Sequence, residues 1–247
     1  MPSVAQTPVL SVVIPVKDEE PSVVEQLKGT LQSAGWEAIV VDDGSHVPLR
    51  CADIRHPHPL GYGISLKHGV ARARAPLVAT MDGDGQHTVQ DVQRLLDYFI
   101  YRCHNNAQLY DGPDRVDMVI GDRRIREKSW QRLWGRKSLN WVASCFASRW
   151  ISDLNSGLRI FRKSIALGYA PILSDGFSYT TTLTLSMLAD GYEVDWIPIK
   201  VFRRLHGATK VKVWHDGWRT LKAIVWVGGA LRTRRLRRLW RALHGRL

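Results

Sequence analysis

Residues 77–87 read Leu-Val-Ala-Thr-Met-Asp-Gly-Asp-Gly-Gln-His. A short apolar run follows Pro76 and stops at two acids separated by one glycine, too short for a helix, so a strand buried on both faces is expected over residues 77–81. Two earlier stretches share this form. Residues 9–16 (VLSVVIPV) are rich in Val and Ile, and residues 38–41 stop at Asp42-Asp43-Gly44-Ser45. Helices are expected from Pro21 to about residue 34, over residues 62–74, and from the capping Thr88 to about residue 103. Further strands are expected over residues 116–120, 158–161 and 193–199, with a helix over residues 180–189. Short buried strands alternating with helices indicate an α/β sheet covered on both faces.

The chain has 247 residues, 45% of them hydrophobic, with a net charge of +12. That length supports a sizeable core without staples. Three separated cysteines, Cys51, Cys103 and Cys145, make neither a disulfide framework nor a zinc motif, and fit a reduced, cytosolic environment. Residues 223–231, the longest apolar stretch near the C-terminus, fall well short of a membrane span, and no signal-peptide pattern is present. The expectation is a protein that crosses no bilayer. Division into residues 1–221 as one catalytic domain and residues 222–247 as a basic tail is the simplest.

The positive charge is concentrated. Residues 232–247 hold seven Arg and no acid, with Leu231, Leu236, Leu239, Trp240 and Leu243 recurring at helical spacing. Such a helix suits an anionic membrane surface or a nucleic acid, and a solvated tail is the plain alternative. A second segment, residues 129–151, places Trp130, Trp134, Trp141 and Cys145 near one helical face beside Arg132, Arg136 and Lys137. Taken alone that stripe reads as core; two such segments in one basic chain favour a membrane surface.

In open α/β sheets ligands bind beyond the carboxyl ends of the strands, so both acid pairs should face one cleft. Asp82 and Asp84 could hold Mg²⁺ or Mn²⁺ jointly with phosphates, or could simply form a turn. Asp42-Asp43 carries the same two readings, with a base or ribose as ligand. Neither a P-loop, a GxGxxG loop nor a GxSxG element occurs. Arg123, Arg136, Arg203, Arg204 and Lys210 are scattered cations; brought together at a metal they would clamp a diphosphate.

Six motifs in order carry a resemblance: residues 12–20 (VVIPVKDEE), 40–45 (VVDDGS), 81–87 (MDGDGQH), 119–123 (VIGDR), 153–159 (DLNSGLR) and 204–210 (RLHGATK). Over residues 9–221 the chain resembles family 2 glycosyltransferases of GT-A fold, in the branch of dolichol-phosphate mannose synthase and bacterial polyprenyl-phosphate glycosyltransferases. The resemblance implies a mixed, mostly parallel sheet flanked by helices. It implies that Pro15, Glu19 and Asp43 frame the nucleoside, and that Asp82, Asp84 and Gln86 hold Mg²⁺ or Mn²⁺. By the same resemblance Arg123, Arg204 and Lys210 contact the donor diphosphate or acceptor phosphate. Arg136, Asp153, Ser156 and Arg159 fall on the acceptor side, with Asp84, Asp153 and Arg204 at the reacting centre.

The sequence departs from the family pattern at Lys17-Asp18, where an aromatic and Asn are common, at Thr209 in place of Ser, and over residues 177–182 (FSYTTT), which lack an acid common in relatives. Transfer to a hydroxyl needs a general base, whereas a lipid monophosphate is already ionised. The implied reaction is inverting transfer from a nucleotide sugar, GDP-mannose or a UDP-hexose, to polyprenyl phosphate. The implied setting is peripheral, at the cytoplasmic face of a membrane, without nucleic acid and with a membrane-protein partner left open. The rivals are the same fold serving a hydroxyl acceptor with Asp153 as base, a basic nucleic-acid-binding protein, and an inactive scaffold on a membrane protein.

Overall fold

The computed structural model describes residues 8–104, 116–123, 140–141, 143–144, 150–200 and residues 221, 222, 225 and 229. Seven strands form one sheet: β1 (Leu10–Val16), β2 (Glu37–Asp42), β3 (Ile54–Arg55), β4 (Leu77–Thr80), β5 (Met118–Arg123), β6 (Arg159–Arg162) and β7 (Val194–Ile199). Their spatial order is β3-β2-β1-β4-β6-β5-β7. Five described helices accompany them: α1 (Pro21–Ser33), α2 (Tyr62–Arg72), α3 (Val89–His104), α4 (Lys163–Tyr169) and α5 (Tyr179–Ala189).

The apolar runs are continuous because both faces are covered. Val13, Ile39, Val41, Val78, Met118 and Phe161 pack on one face with Leu66 and Val70 of α2 and Leu183 of α5. On the other, Val12, Ile14, Val40, Ala79, Val119 and Ile160 pack with Val24 and Leu31 of α1 and Val92, Leu95 and Phe99 of α3. Neighbours such as Val12 and Val13 thus bury toward opposite layers, as the strand period of two requires.

Strand direction decides where the cleft lies. β1 runs parallel to β2 and β4, but β6 is antiparallel to both β4 and β5. Thr80, the last residue of β4, pairs with Arg159, the first of β6, and Arg159 also pairs with Ile120 of β5. The segment before β6 therefore arrives at the same edge as the segments after β1, β2, β4 and β5. A Gly121 N–H bond to the Leu158 carbonyl at 2.9 Å ties the two sides.

Most expected elements stand within a few residues of their sequence positions. Pro21 opens α1. Thr88 caps α3, its hydroxyl accepting from the Asp91 amide (3.2 Å) while the Asp91 carboxylate accepts from Thr88 Oγ1 (2.8 Å). Two elements were not anticipated: the two-residue β3 and the seven-residue α4. The Trp-rich segment over residues 129–151 is described only at residues 140, 141, 143 and 144, which are helical, and at 150 and 151; the tail over 222–247 is described at residues 222, 225 and 229. Trp141 and Trp150 are 63% and 72% exposed. Among the described residues no helix is long and apolar enough to cross a membrane.

Candidate active site

The turn after β4 brings the second acid pair to the cleft edge. Gly83 permits this, since a Cβ there would lie 2.5 Å from Val16 Cγ1, and Gly85 adopts φ +75°. Asp82 keeps some exposed surface, whereas Asp84 is buried and its Oδ1 accepts from the Gln86 amide at 3.0 Å.

Two neighbours fix the Asp82 carboxylate. The Tyr62 hydroxyl, at the start of α2, donates to Oδ1 at 3.1 Å. Gly157 lies against the other side, where an added Cβ would come within 2.8 Å of Asp82 Cγ. Burial, reinforced by the Asp82 charge, holds the Tyr62 phenol well above its usual pKa, so the hydroxyl remains a donor. Phe177, 47% exposed, stacks on the Tyr62 ring at 5.3 Å and 22°. Tyr62 carried no sequence signal, because an aromatic at a helix start reads as core.

His87 is buried in the same turn and its Nδ1 has no hydrogen-bond partner. Burial lowers the imidazole pKa against the pull of Asp82, favouring the neutral form.

Two acids at a strand end, one of them half-exposed, suit a hard cation that takes its remaining oxygens from a ligand. Among the described residues no cluster of three or more His, Cys, Asp or Glu could hold a metal unaided. Asp82 and Asp84 supply hard oxygen donors, the chemistry that suits Mg²⁺ or Mn²⁺.

Arg123 leaves β5 at this edge and pairs bidentately with Asp153, Nε to Oδ2 at 2.8 Å and Nη2 to Oδ1 at 3.0 Å. Burial alone would lower the Arg123 pKa, but the Asp153 charge outweighs it and the guanidinium stays firmly protonated. Asp153 has no exposed surface and also accepts from the Asn155 amide at 3.2 Å. A carboxylate so engaged is poorly placed to take a proton.

Ser156 and Arg159, expected on the acceptor side, have no exposed surface. Arg159 spends its five donor hydrogens internally. Nε and Nη2 reach the Ser156 carbonyl, Nη2 also the Leu154 carbonyl (3.4 Å), and Nη1 the Thr180 carbonyl and Thr184 Oγ1 (both 2.8 Å). Burial lowers its pKa to about 10, still charged near neutrality. The arginine of this motif braces the 153–157 segment against α5.

On the opposite flank Asp43 is buried in a ring of donors: His56 Nδ1 and the Leu60 amide, both at 2.8 Å, and the Gly61 amide at 3.0 Å. Burial would raise its pKa; His56 and the amides outweigh that and lower it. His56 Nε2 in turn meets His68 Nδ1 at 2.9 Å. Pro15 is buried in β1 opposite Val41, and Glu19 is half-buried beyond the strand end. Asp18 between them takes φ +50°, a left-handed conformation Asp tolerates. The expected cations Arg136, Arg204 and Lys210 lie outside the described residues.

A mixed seven-stranded sheet with acids at its carboxyl edge is the architecture of GT-A glycosyltransferases. It aligns with glucosyl-3-phosphoglycerate synthase from Mycobacterium tuberculosis, solved with Mn²⁺, UDP and phosphoglyceric acid, at a TM-score of 0.62 and 15% identity over 90% of this chain and 78% of that one. Residues 11–169 match glycosyl transferase family 2, and the chain belongs to that family.

Two curated relatives share parts of the sequence. Dodecaprenyl-phosphate galacturonate synthase of Rhizobium johnstonii is 28% identical over 180 residues, 63% of this chain and 48% of that protein. Polyprenol monophosphomannose synthase of Mycolicibacterium smegmatis is 25% identical over 192 residues, 74% of this chain and 66% of that protein. The matched region thus spans roughly half to two thirds of these relatives' lengths.

Proposed function

We propose that this glycosyltransferase moves a sugar from a nucleotide diphosphate donor, GDP-mannose or a UDP-hexose, to a polyprenyl or dolichyl phosphate, with inversion, at a membrane surface. The observation that carries the phosphate acceptor is the engagement of Asp153. The one acid expected to serve as base for a hydroxyl acceptor is ion-paired at both oxygens by Arg123 and sealed from solvent. An ionised phosphate needs no proton removed, so this site asks nothing of Asp153 beyond orienting Arg123. The names of the two relatives support the same acceptor class.

In this reading Asp82 and Asp84, with Gln86, hold Mg²⁺ or Mn²⁺, which when bound offsets charge on the departing nucleoside diphosphate. Arg123, kept protonated by Asp153, supplies a fixed positive charge at the cleft edge. Asp43 holds the 56–61 segment that borders the nucleoside side, with Pro15 and Glu19 across from it. Arg204 and Lys210 are assigned by motif to the donor diphosphate or acceptor phosphate, and Arg136 by the resemblance to the acceptor. The exposed Trp141 and Trp150 and the basic tail would lie against anionic lipid, each Arg near the surface contributing up to about 1 kcal/mol.

The test is transfer of label from GDP- or UDP-sugars to a short polyprenyl phosphate with Mg²⁺ or Mn²⁺, read in the organic phase. Metal-dependent organic-phase label is expected from one donor. Label appearing only on added saccharides would overturn the phosphate acceptor in favour of a hydroxyl. Deleting residues 232–247 should lower sedimentation with anionic vesicles; undiminished sedimentation would remove the tail as anchor.

A further inference from the structure

We infer that Tyr62 is a positioning residue for metal binding: its hydroxyl sets the Asp82 carboxylate in a ligating orientation, and Phe177 holds the Tyr62 ring. The inference rests on the proposed metal role of Asp82.

A carboxylate on a short side chain rotates freely about its last bond unless both flanks are filled. At Asp82 they are. Tyr62 donates to Oδ1 from α2 at 3.1 Å, while Gly157 lies so close to the carboxylate that a Cβ there would sit 2.8 Å from both Cγ and Oδ1. One flank thus comes from the nucleotide half of the sheet and the other from the 153–157 segment that Arg159 braces.

The Tyr62 hydroxyl is itself well located. Glycine at 61, with φ +121°, turns the chain sharply into α2, and the Asp175 carbonyl accepts from the Gly63 amide at 2.9 Å, fixing the first turn. A Cβ at Gly61 or Gly63 would clash with the Asp175 backbone, so the start of α2 and the segment before α5 are locked together. From that segment Phe177 reaches over and stacks on the Tyr62 ring. Ring plane, helix start and hydroxyl are therefore set by three separate contacts. Groups that orient a metal ligand in this way change metal affinity by about 10- to 100-fold when removed.

The test uses the full chain and Mn²⁺ binding followed by electron paramagnetic resonance, with saturating UDP and then GDP. Wild type should retain Mn²⁺ with one of the two. Tyr62→Phe, which keeps the ring and loses only the hydroxyl, should bind Mn²⁺ about 10- to 100-fold more weakly, with unchanged thermal unfolding in the absence of metal. Tyr98→Phe is the control: it loses a comparable hydroxyl contact to Asp195 at 3.1 Å on a different part of the sheet, and should match wild type. Equal affinity in wild type and Tyr62→Phe would overturn the inference and leave the metal reading standing. Should Tyr62→Phe fold poorly, Phe177→Ala decides: a several-fold loss of affinity supports the inference, and unchanged affinity overturns it. Wild type that binds no Mn²⁺ with either nucleotide would remove the metal reading itself, and this inference with it.

Discussion

Asp42-Asp43 after β2 and Asp82-x-Asp84 after β4 look alike in the sequence, each a pair of acids and a glycine at the end of a buried strand, yet they are built for different work. The first pair is consumed by its own surroundings. Asp42 accepts from the Ser45 amide at 2.9 Å and the Leu49 amide at 3.3 Å with Arg55 beside it, and Asp43 takes His56, Leu60 and Gly61. In the second pair, Asp82 keeps exposed surface and accepts a single tyrosine hydroxyl that aims it. Asp84 is buried and still accepts the Gln86 amide at 3.0 Å, so the contrast in backbone amides falls on Asp82. Where the following chain folds back and points N–H groups at a carboxylate, the acid becomes a frame; where glycines carry the chain past it, the acid is left facing the cleft.

The sharpest way to break this distinction is to remove an acid from each pair. Asp84→Ala should lower kcat by about a thousandfold or more, since the charge stabilisation it supports is worth several kcal/mol. Its unfolding midpoint in denaturant should remain close to wild type. Wild-type turnover by this variant would put the acids after β4 in the same class as those after β2.

Asp42→Ala should reverse the pattern. Leaving the Ser45 and Leu49 amides without their buried acceptor should cost about 2–4 kcal/mol in a urea titration, and activity per folded molecule should fall much less than for Asp84→Ala. A variant as stable as wild type would mean that the amides find other acceptors.

The smallest effect sharpens the account of Asp43. Its folded pKa is depressed, so it contributes stability that is fully present above the unfolded carboxylate value of about 3.9 and is lost as pH falls through the lower folded value. The stability gap between wild type and Asp43→Asn should therefore be flat near neutrality and shrink below about pH 4. A gap that widens toward acid would reverse the assigned sign.

Local pattern carried much of this architecture. Val, Ile and Leu runs between turn residues mark β1, β2, β4 and β5 because strands covered on both faces must be apolar throughout. The two residues of β3 have too short a pattern to register, and α4 begins at Lys163 directly after β6, with no turn residue to separate them. The reversed direction of β6 has no local signature, since a strand's sequence does not state which way its neighbours run. The same limit applies at the site. The DLNSG motif marks a place in the cleft, but only packing shows that Arg159 points down into α5 while Gly157 presses on Asp82. Tyr62 and Phe177 meet across more than a hundred residues, through a contact between a helix start and a turn that neither segment announces.

The reversal of β6 has a consequence for how such a protein can diversify. Because β5 leaves and β6 enters at the same edge, the chain joining them begins and ends at the rim of the cleft. Lengthening a connection of this kind is cheap, about 0.6 kcal/mol of closure entropy per doubling. New recognition surface can thus be grafted beside the reacting groups without disturbing β1, β2 or β4. The rim of the cleft can therefore gain surface between β5 and β6 while the register of β1 with β2 and β4 stays as it is.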